Sequence, residues 1–304
     1  MTEKESALYS RYIIDGVHLD MTPAELLDEC MEYEGFTPGT GFGDIIDEST
    51  EPPLSTFSFE ASKAIDYVKM ITQNESQERP FSLLYPNHFS RLQIAQALLN
   101  RLWSEGHFRL YNLRLWAQWE WNTRHIGNMA AFYASAAAAS EYIYGLGISL
   151  EDYVFIEGDE GSTAKFFAWL PEAEDEENIF KTSPYESTHP WISESRKCPA
   201  TLVNDPDSRI IYIPFDTCRF KLGGSLLAQE NNDNGGKAPD INDPDYFIDC
   251  YEVVRELVED GFIMAGATVA DGGLITAAHK MCSSCGMDID LKGILSSYQE
   301  ADRA

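Results

Sequence analysis

Basic side chains are scarce in this 304-residue sequence: 22 lysines and arginines stand against 50 aspartates and glutamates, for a formal net charge of −28. A chain this negative repels nucleic-acid phosphate and anionic membrane surfaces, so neither is expected as a partner, and a natural partner surface should be basic or neutral. Long apolar runs are missing too. None approaches the ~20 residues of a membrane span, and Met1-Thr-Glu-Lys-Glu5 has none of the features of a secretory signal. No membrane insertion is expected, and the expected compartment is the cytoplasm, or an organelle matrix if a transit peptide has been removed. Cysteine is sparse and scattered, at positions 30, 198, 218, 250, 282 and 285. In a chain too large to need stapling, these read as reduced thiols. Cys282-Ser-Ser-Cys285 has the spacing of half a zinc site or of a redox pair, but no second such pair accompanies it, and packing at a helix end before Gly286 is the plainer reading. Histidines form no His-x-x-x-His or His-Glu pair. His125, beside Arg124 and Asn122, and His279 both read as structural.

What is present bounds the architecture. With 44% apolar and 12% aromatic residues the chain is globular and can bury one large core or two modest ones. Residues 1–55 form an acidic N-terminal segment with a short amphipathic helix after Thr22-Pro23, carrying Leu26, Leu27 and Met31. Gly39-Thr-Gly-Phe-Gly43 follows no strand and reads as a linker. Residues 56–171 read as mainly helical, with short strands at 153–156 and 165–170. Trp103, Trp116, Trp119 and Trp121 supply an aromatic stretch suited to a core or an interface, and the alanine run 136–139 suits close helix contact. The acidic run Glu172–Glu177 opens a solvated linker over 172–190, and residues 191–304 make the last region.

That last region carries the pattern with most chemical content. Arg209–Phe215 reads as a buried strand leading to Leu222-Gly-Gly-Ser-Leu-Leu-Ala-Gln229. A helix over 246–258 stops at Gly261. Phe262–Val269 reads as a second buried strand, which Asp271-Gly272-Gly273-Leu274 turns into another helix, and 287–291 closes the unit as a third strand. A helix N-terminus behind a glycine pair presents free N–H groups to an oxyanion, although such pairs also make ordinary turns.

Those residues resemble the C-terminal nucleotide-binding half of the large phosphoribosylformylglycinamidine synthases, in the superfamily of aminoimidazole ribonucleotide synthetase. The resemblance rests on Ser195-Arg-Lys-Cys-Pro199, the L-G-G-S-x-L-A-Q string at 222–229, Pro239-Asp240 and the D-G-G-L at 271–274, in the family's order over 191–292. Met129–Ile143 and Gly145–Ser149 resemble, more weakly, a preceding helix and turn. Glu75-Ser-Gln-Glu-Arg79 also matches a family string, but out of register. The implied fold is mixed α+β: a PurM-like C-terminal α/β domain preceded by a mainly helical N-terminal half. The implied chemistry is ATP-dependent replacement of an amide oxygen by nitrogen. The resemblance then implies that Gly223, Gly224, Ser225, Gly272 and Gly273 position phosphate and that Asp271 helps to hold magnesium, with ATP and magnesium as cofactors.

Departures from the pattern set up the competing expectation. Where the family has His-Asp-x-Ser before D-G-G-L, this chain has Ala267-Thr-Val-Ala270, and where it has G-K-D-S, this chain has Gly158-Asp159-Glu160 and then Gly161-Ser162. Acid replaces the lysine that would neutralise phosphate. The family-like domain is expected to be cut short soon after Leu291, with no glutaminase domain. Two function classes therefore stand: an active ligase of purine biosynthesis, or a catalytically degenerate relative that serves as an assembly subunit, bound to a protein partner or to its own copies.

Overall fold

The computed structural model describes residues 6–31, 69, 83–105, 109–159, 161–170, 198–215, 221–230, 237–282 and 285–289. Readings that fall on 39–43, 75–79, 172–177 and Cys218 lie outside the described residues. Strands β1 (Ile13–Ile14) and β2 (Val17–His18) form an antiparallel hairpin. Asp15 and Gly16 between them both have positive φ, 51° and 82°, the two-residue turn that an Asp-Gly pair favours. Helix α1 (Pro23–Met31) starts as a capping box. The Glu25 amide donates to Thr22 Oγ1 at 3.2 Å and the Thr22 amide to Glu25 Oε2 at 2.7 Å. Leu26, Leu27 and Cys30 are buried, whereas Met31 stays 39% exposed.

The stretch read as helical holds the only sheet of three strands among the described residues. Helix α2 (Pro86–Glu105) leads to β3 (Arg114–Asn122), then helix α3 (Ile126–Gly145), β4 (Ser149–Gly158) and β5 (Thr163–Trp169). Strand order is β4-β3-β5, with β3 parallel to β4 across the α3 crossover and antiparallel to β5. In Leu115-Trp-Ala-Gln-Trp-Glu-Trp121 the pair Trp119 and Trp121 thus follows the strand period of two, while Trp116 falls on the other face. Leu115, Ala117, Trp119 and Trp121 share one face of β3 and are fully buried against the helices. The strand reading at 153–156 falls inside β4, and that at 165–170 overlaps β5 and runs one residue past its end.

Helix α3 is buried nearly all round, and its alanines allow this. Side chains as small as Ala134, Ala136, Ala138 and Ala139 let α1, α2 and the sheet approach closely. Its hydroxyls are satisfied inside: Ser135 Oγ accepts from Trp119 Nε1 at 2.9 Å and lies 2.7 Å from Ser90 Oγ, while Ser140 Oγ donates to Leu26 O at 2.7 Å. No helix among the described residues is long and apolar enough to cross a membrane.

In the C-terminal region the two expected helices appear, with a short one besides, and the expected strands do not. Short helix α4 (Leu226–Glu230), α5 (Pro244–Glu259) and α6 (Gly273–Met281) are formed. Asp243 caps α5 by accepting from the Tyr246 amide at 3.0 Å, and Gly261 ends the run at φ 76°. Phe247, Tyr251, Val254 and Val258 bury one stripe of α5 in the same core as α2 and α3. Segments 209–215, 262–269 and 286–289 have no strand pairing. An apolar, β-branched sequence becomes a strand only where a neighbour supplies a ladder, and here single links replace it. The Gly266 amide donates to Pro199 O at 3.0 Å, and Trp103 Nε1 donates to Thr268 Oγ1 at 3.0 Å. Tyr246 Oη donates to Pro214 O at 3.3 Å.

The Trp103 ring lies so close to Gly266 that an added Cβ would meet its atoms at 2.3–2.8 Å. The Gly266→Ala variant should lose about 1–3 kcal/mol of stability, the usual effect of overpacking. Denaturant unfolding followed by tryptophan fluorescence measures this, and a midpoint unchanged from the parent would refute the contact.

Candidate functional site

The two glycine turns are built separately. In the first, the Gly223 amide donates to Lys237 O and the Ser225 amide to Leu222 O, each at 2.9 Å, and Gly224 takes φ 68°. The Ser225 hydroxyl accepts from the Ala228 amide at 3.2 Å, so it caps the five-residue α4. In the second, Gly272 is the N-cap of α6 at φ 86°, Gly273 follows at φ 69°, and the Gly273 amide donates to Ala270 O at 2.9 Å. Only glycine holds such consecutive positive φ values without strain, which explains the pair without any ligand. Thr276 Oγ1 donates to Gly272 O at 3.0 Å and secures the first turn of α6. Asp271 is exposed at the head of this helix. Among the described residues no group of three or more His, Cys, Asp or Glu side chains gathers as a metal site.

At the positions that depart from the family pattern, polar groups are engaged within the chain. Asp159 forms a two-bond pair with Arg124, Nε to Oδ1 and Nη2 to Oδ2 each at 2.8 Å, and its carbonyl accepts from Asn122 Nδ2 at 3.0 Å. Ser162 Oγ accepts from the Asn122 amide at 3.2 Å. Glu157 accepts from Ser6 Oγ and the Ala7 amide, both at 2.8 Å. The Thr268 hydroxyl takes the Trp103 indole proton. His125 and His279 are both exposed, one as the N-cap of α3 and the other in the last turn of α6.

One cluster was not apparent in the sequence. Arg91 of α2 grips Asp240 with two bonds, Nε to Oδ1 at 2.8 Å and Nη2 to Oδ2 at 2.6 Å. The Ile241 amide also donates to Oδ1 at 2.8 Å, and His88 Nδ1 lies 3.4 Å from Oδ2. Asp240 and Arg91 are nearly buried, with side chains 7% and 12% exposed. Tyr142 is buried beside them. Its phenol is pushed up by burial, eased by Arg91 and raised further by Asp240 and Asp243. His88 and Arg91 sit three apart on one helix face, and Asp240 follows a proline. The spacing on α2 is visible in the sequence, but the pairing across 149 residues is not.

The described cysteines are free thiols. Burial pushes the Cys30 thiol up to about 11, against the hydrogen bond to Ser140, and burial followed by the neighbouring Cys285 raises Cys282. Thiols held in their protonated form are poor nucleophiles and poor metal ligands, in keeping with a packing role.

No family model matches the chain. Curated relatives do. It is 27% identical over 217 residues to the probable phosphoribosylformylglycinamidine synthase, chloroplastic/mitochondrial, of Arabidopsis thaliana, and 25% identical over 217 residues to the phosphoribosylformylglycinamidine synthase of Homo sapiens. These matches cover 70% and 69% of this chain but only 15% of either relative.

The two acid–base pairs differ in burial and should differ in energetic weight. Asp240→Ala strands a nearly buried guanidinium and should cost about 3–5 kcal/mol. Asp159→Ala, whose pair has side chains 61% and 74% exposed, should cost less than about 1 kcal/mol. Paired denaturation curves test the contrast, and equal costs would contradict it.

Proposed function

Since the chain is a relative of the phosphoribosylformylglycinamidine synthases, we propose that it is a catalytically degenerate member acting as a structural or assembly subunit. The observation that carries this reading is the state of segments 209–213 and 262–264. Their sequence is that of buried strands, yet Ile210, Ile211, Phe262 and Met264 are 56%, 74%, 75% and 43% exposed and, among the described residues, no strand lies beside them. Apolar chain without a ladder is what a partner surface, from another protein or a second copy, would cover. Supporting it, Asp159 and Thr268 are occupied by internal contacts where the family pattern needs groups for phosphate and magnesium. Stabilising charge in phosphoryl transfer requires fixed donors and cations aimed at the phosphates.

A second reading keeps the chemistry: an ATP-dependent amidine-forming ligase of purine biosynthesis. In its favour, both glycine turns are formed at the positions that the resemblance marks. In that reading Gly223, Gly224, Ser225, Gly272 and Gly273 would line the phosphates, and Asp271 would face magnesium.

Purified protein given ATP and magnesium distinguishes the two. The degenerate reading expects no turnover approaching the ~1–1000 per second of ordinary enzymes. Turnover in that range, lost in Asp271→Ala, would establish the ligase instead. The assembly part is tested separately by light scattering and co-purification. Phe262→Asp with Ile211→Asp should release the partner or dissociate the copies without unfolding the chain.

A further inference from the structure

A shallow groove of about 450 Å³ lies between α1, the segment before β1, and β4. It is open to solvent, so it offers a surface for a side chain rather than an enclosed small-molecule pocket. Asp152, Tyr153, Val154 and Phe155 all line it. Consecutive strand residues point to opposite faces, so a cavity touched by four in a row lies along the strand's margin, where the backbone is presented. That margin is an edge: β4 pairs only with β3 among the described residues. An edge strand offers a row of N–H and C=O groups to any extended chain that comes alongside.

The side chains around this edge have a definite preference. Asp28 from α1 and Asp152 both line the cavity, and neither has a basic partner among the described residues. Asp28 accepts from Tyr153 Oη at 2.9 Å, and Asp152 accepts from the Tyr153 amide at 2.8 Å. Tyr9, 59% exposed, and Met31, 39% exposed, add an aromatic ring and a thioether. Carboxylates beside aromatic rings attract a cation on an apolar stem, which is the form of a lysine or arginine side chain. The chain's large negative charge also steers basic partners toward it.

We propose that this groove docks an extended basic segment of a partner protein, which adds to the sheet at the β4 edge and sets a lysine or arginine against Asp28 and Asp152. The mode is strand addition: backbone bonds supply affinity and the acidic, aromatic groove selects the side chain. This surface is separate from the exposed segments 209–213 and 262–264, and it does not depend on whether the chain turns over ATP.

The test titrates the full chain, without nucleotide, with the peptide acetyl-Val-Arg-Val-Lys-Val-amide by calorimetry. Saturable one-to-one binding is expected. Asp28→Asn with Asp152→Asn keeps the hydrogen-bond acceptors but removes both charges, and should weaken binding about ten-fold or more. Tyr9→Ala, at an exposed position, should also weaken it. Asp207→Asn with Asp288→Asn, an equal change of net charge elsewhere, should leave affinity within about two-fold of the parent. A peptide N-methylated along its backbone should lose binding, and spermidine should compete only weakly. Absence of saturable binding would overturn the proposal, as would equal loss in the two charge variants. Undiminished binding of the N-methylated peptide would exclude strand addition, and spermidine binding as tightly as the peptide would reduce the groove to a simple cation site.

Discussion

A buried indole N–H must find an acceptor or forfeit about 1–3 kcal/mol, and at Trp119 that requirement ties three elements together. The ring sits on central strand β3 with no exposed surface. Its proton goes to Ser135 of α3, whose oxygen lies against Ser90 of α2, and Ser90 in turn donates to Pro86 O at 2.8 Å. Strand, crossover helix and preceding helix are thereby placed in one register. Around this line the aromatic rings close in: Phe132 and Phe166 stand edge-on to Trp119 at centroid distances of 6.3 and 5.3 Å, and Phe155 lies 4.3 Å from Phe132.

The C-terminal region is attached to that core by pins rather than by a sheet. Arg91 holds Asp240, Trp103 reaches Gly266 and Thr268, and α5 sets Phe247 edge-on to Tyr142, with Tyr251 beside Phe247. Two of the scarce basic residues, Arg91 and Arg255, are engaged inward. Arg255 is 5% exposed and bonds Glu252 at 2.8 Å and Glu259 at 2.7 Å, while Glu252 also accepts from the Leu110 amide. Fixed positive charge used to hold acidic helices together is not presented to a phosphate.

The same economy of cations shapes the exterior. Among the described residues Asp28 and Asp152 at the β4 edge are answered by the Tyr153 hydroxyl and amide, so the described sheet margin there is acidic and pairs with no further strand. Acidic edges discourage pairing between identical copies, because like charges would face one another, while leaving the edge available to a segment of opposite charge.

Local signals in the sequence determined the helices and turns. The Thr22-Pro23 start, the stripe Phe247, Tyr251, Val254 and Val258, the stop at Gly261 and the Gly272-Gly273 turn are all set by residues within a few positions of one another, so each was legible. The relationship to the synthases was legible for the same reason, being carried by short strings in order. Tertiary structure decided what depends on a distant partner. Residues 114–122 became a strand because β4 and β5 lie on either side, while 209–215 and 262–269, of equally suitable composition, have no strand ladder among the described residues. The Arg91–Asp240 clamp likewise joins residues whose proximity no local pattern encodes. A strand is a property of two segments and an ion pair of two sites, so neither can be read from one stretch of sequence.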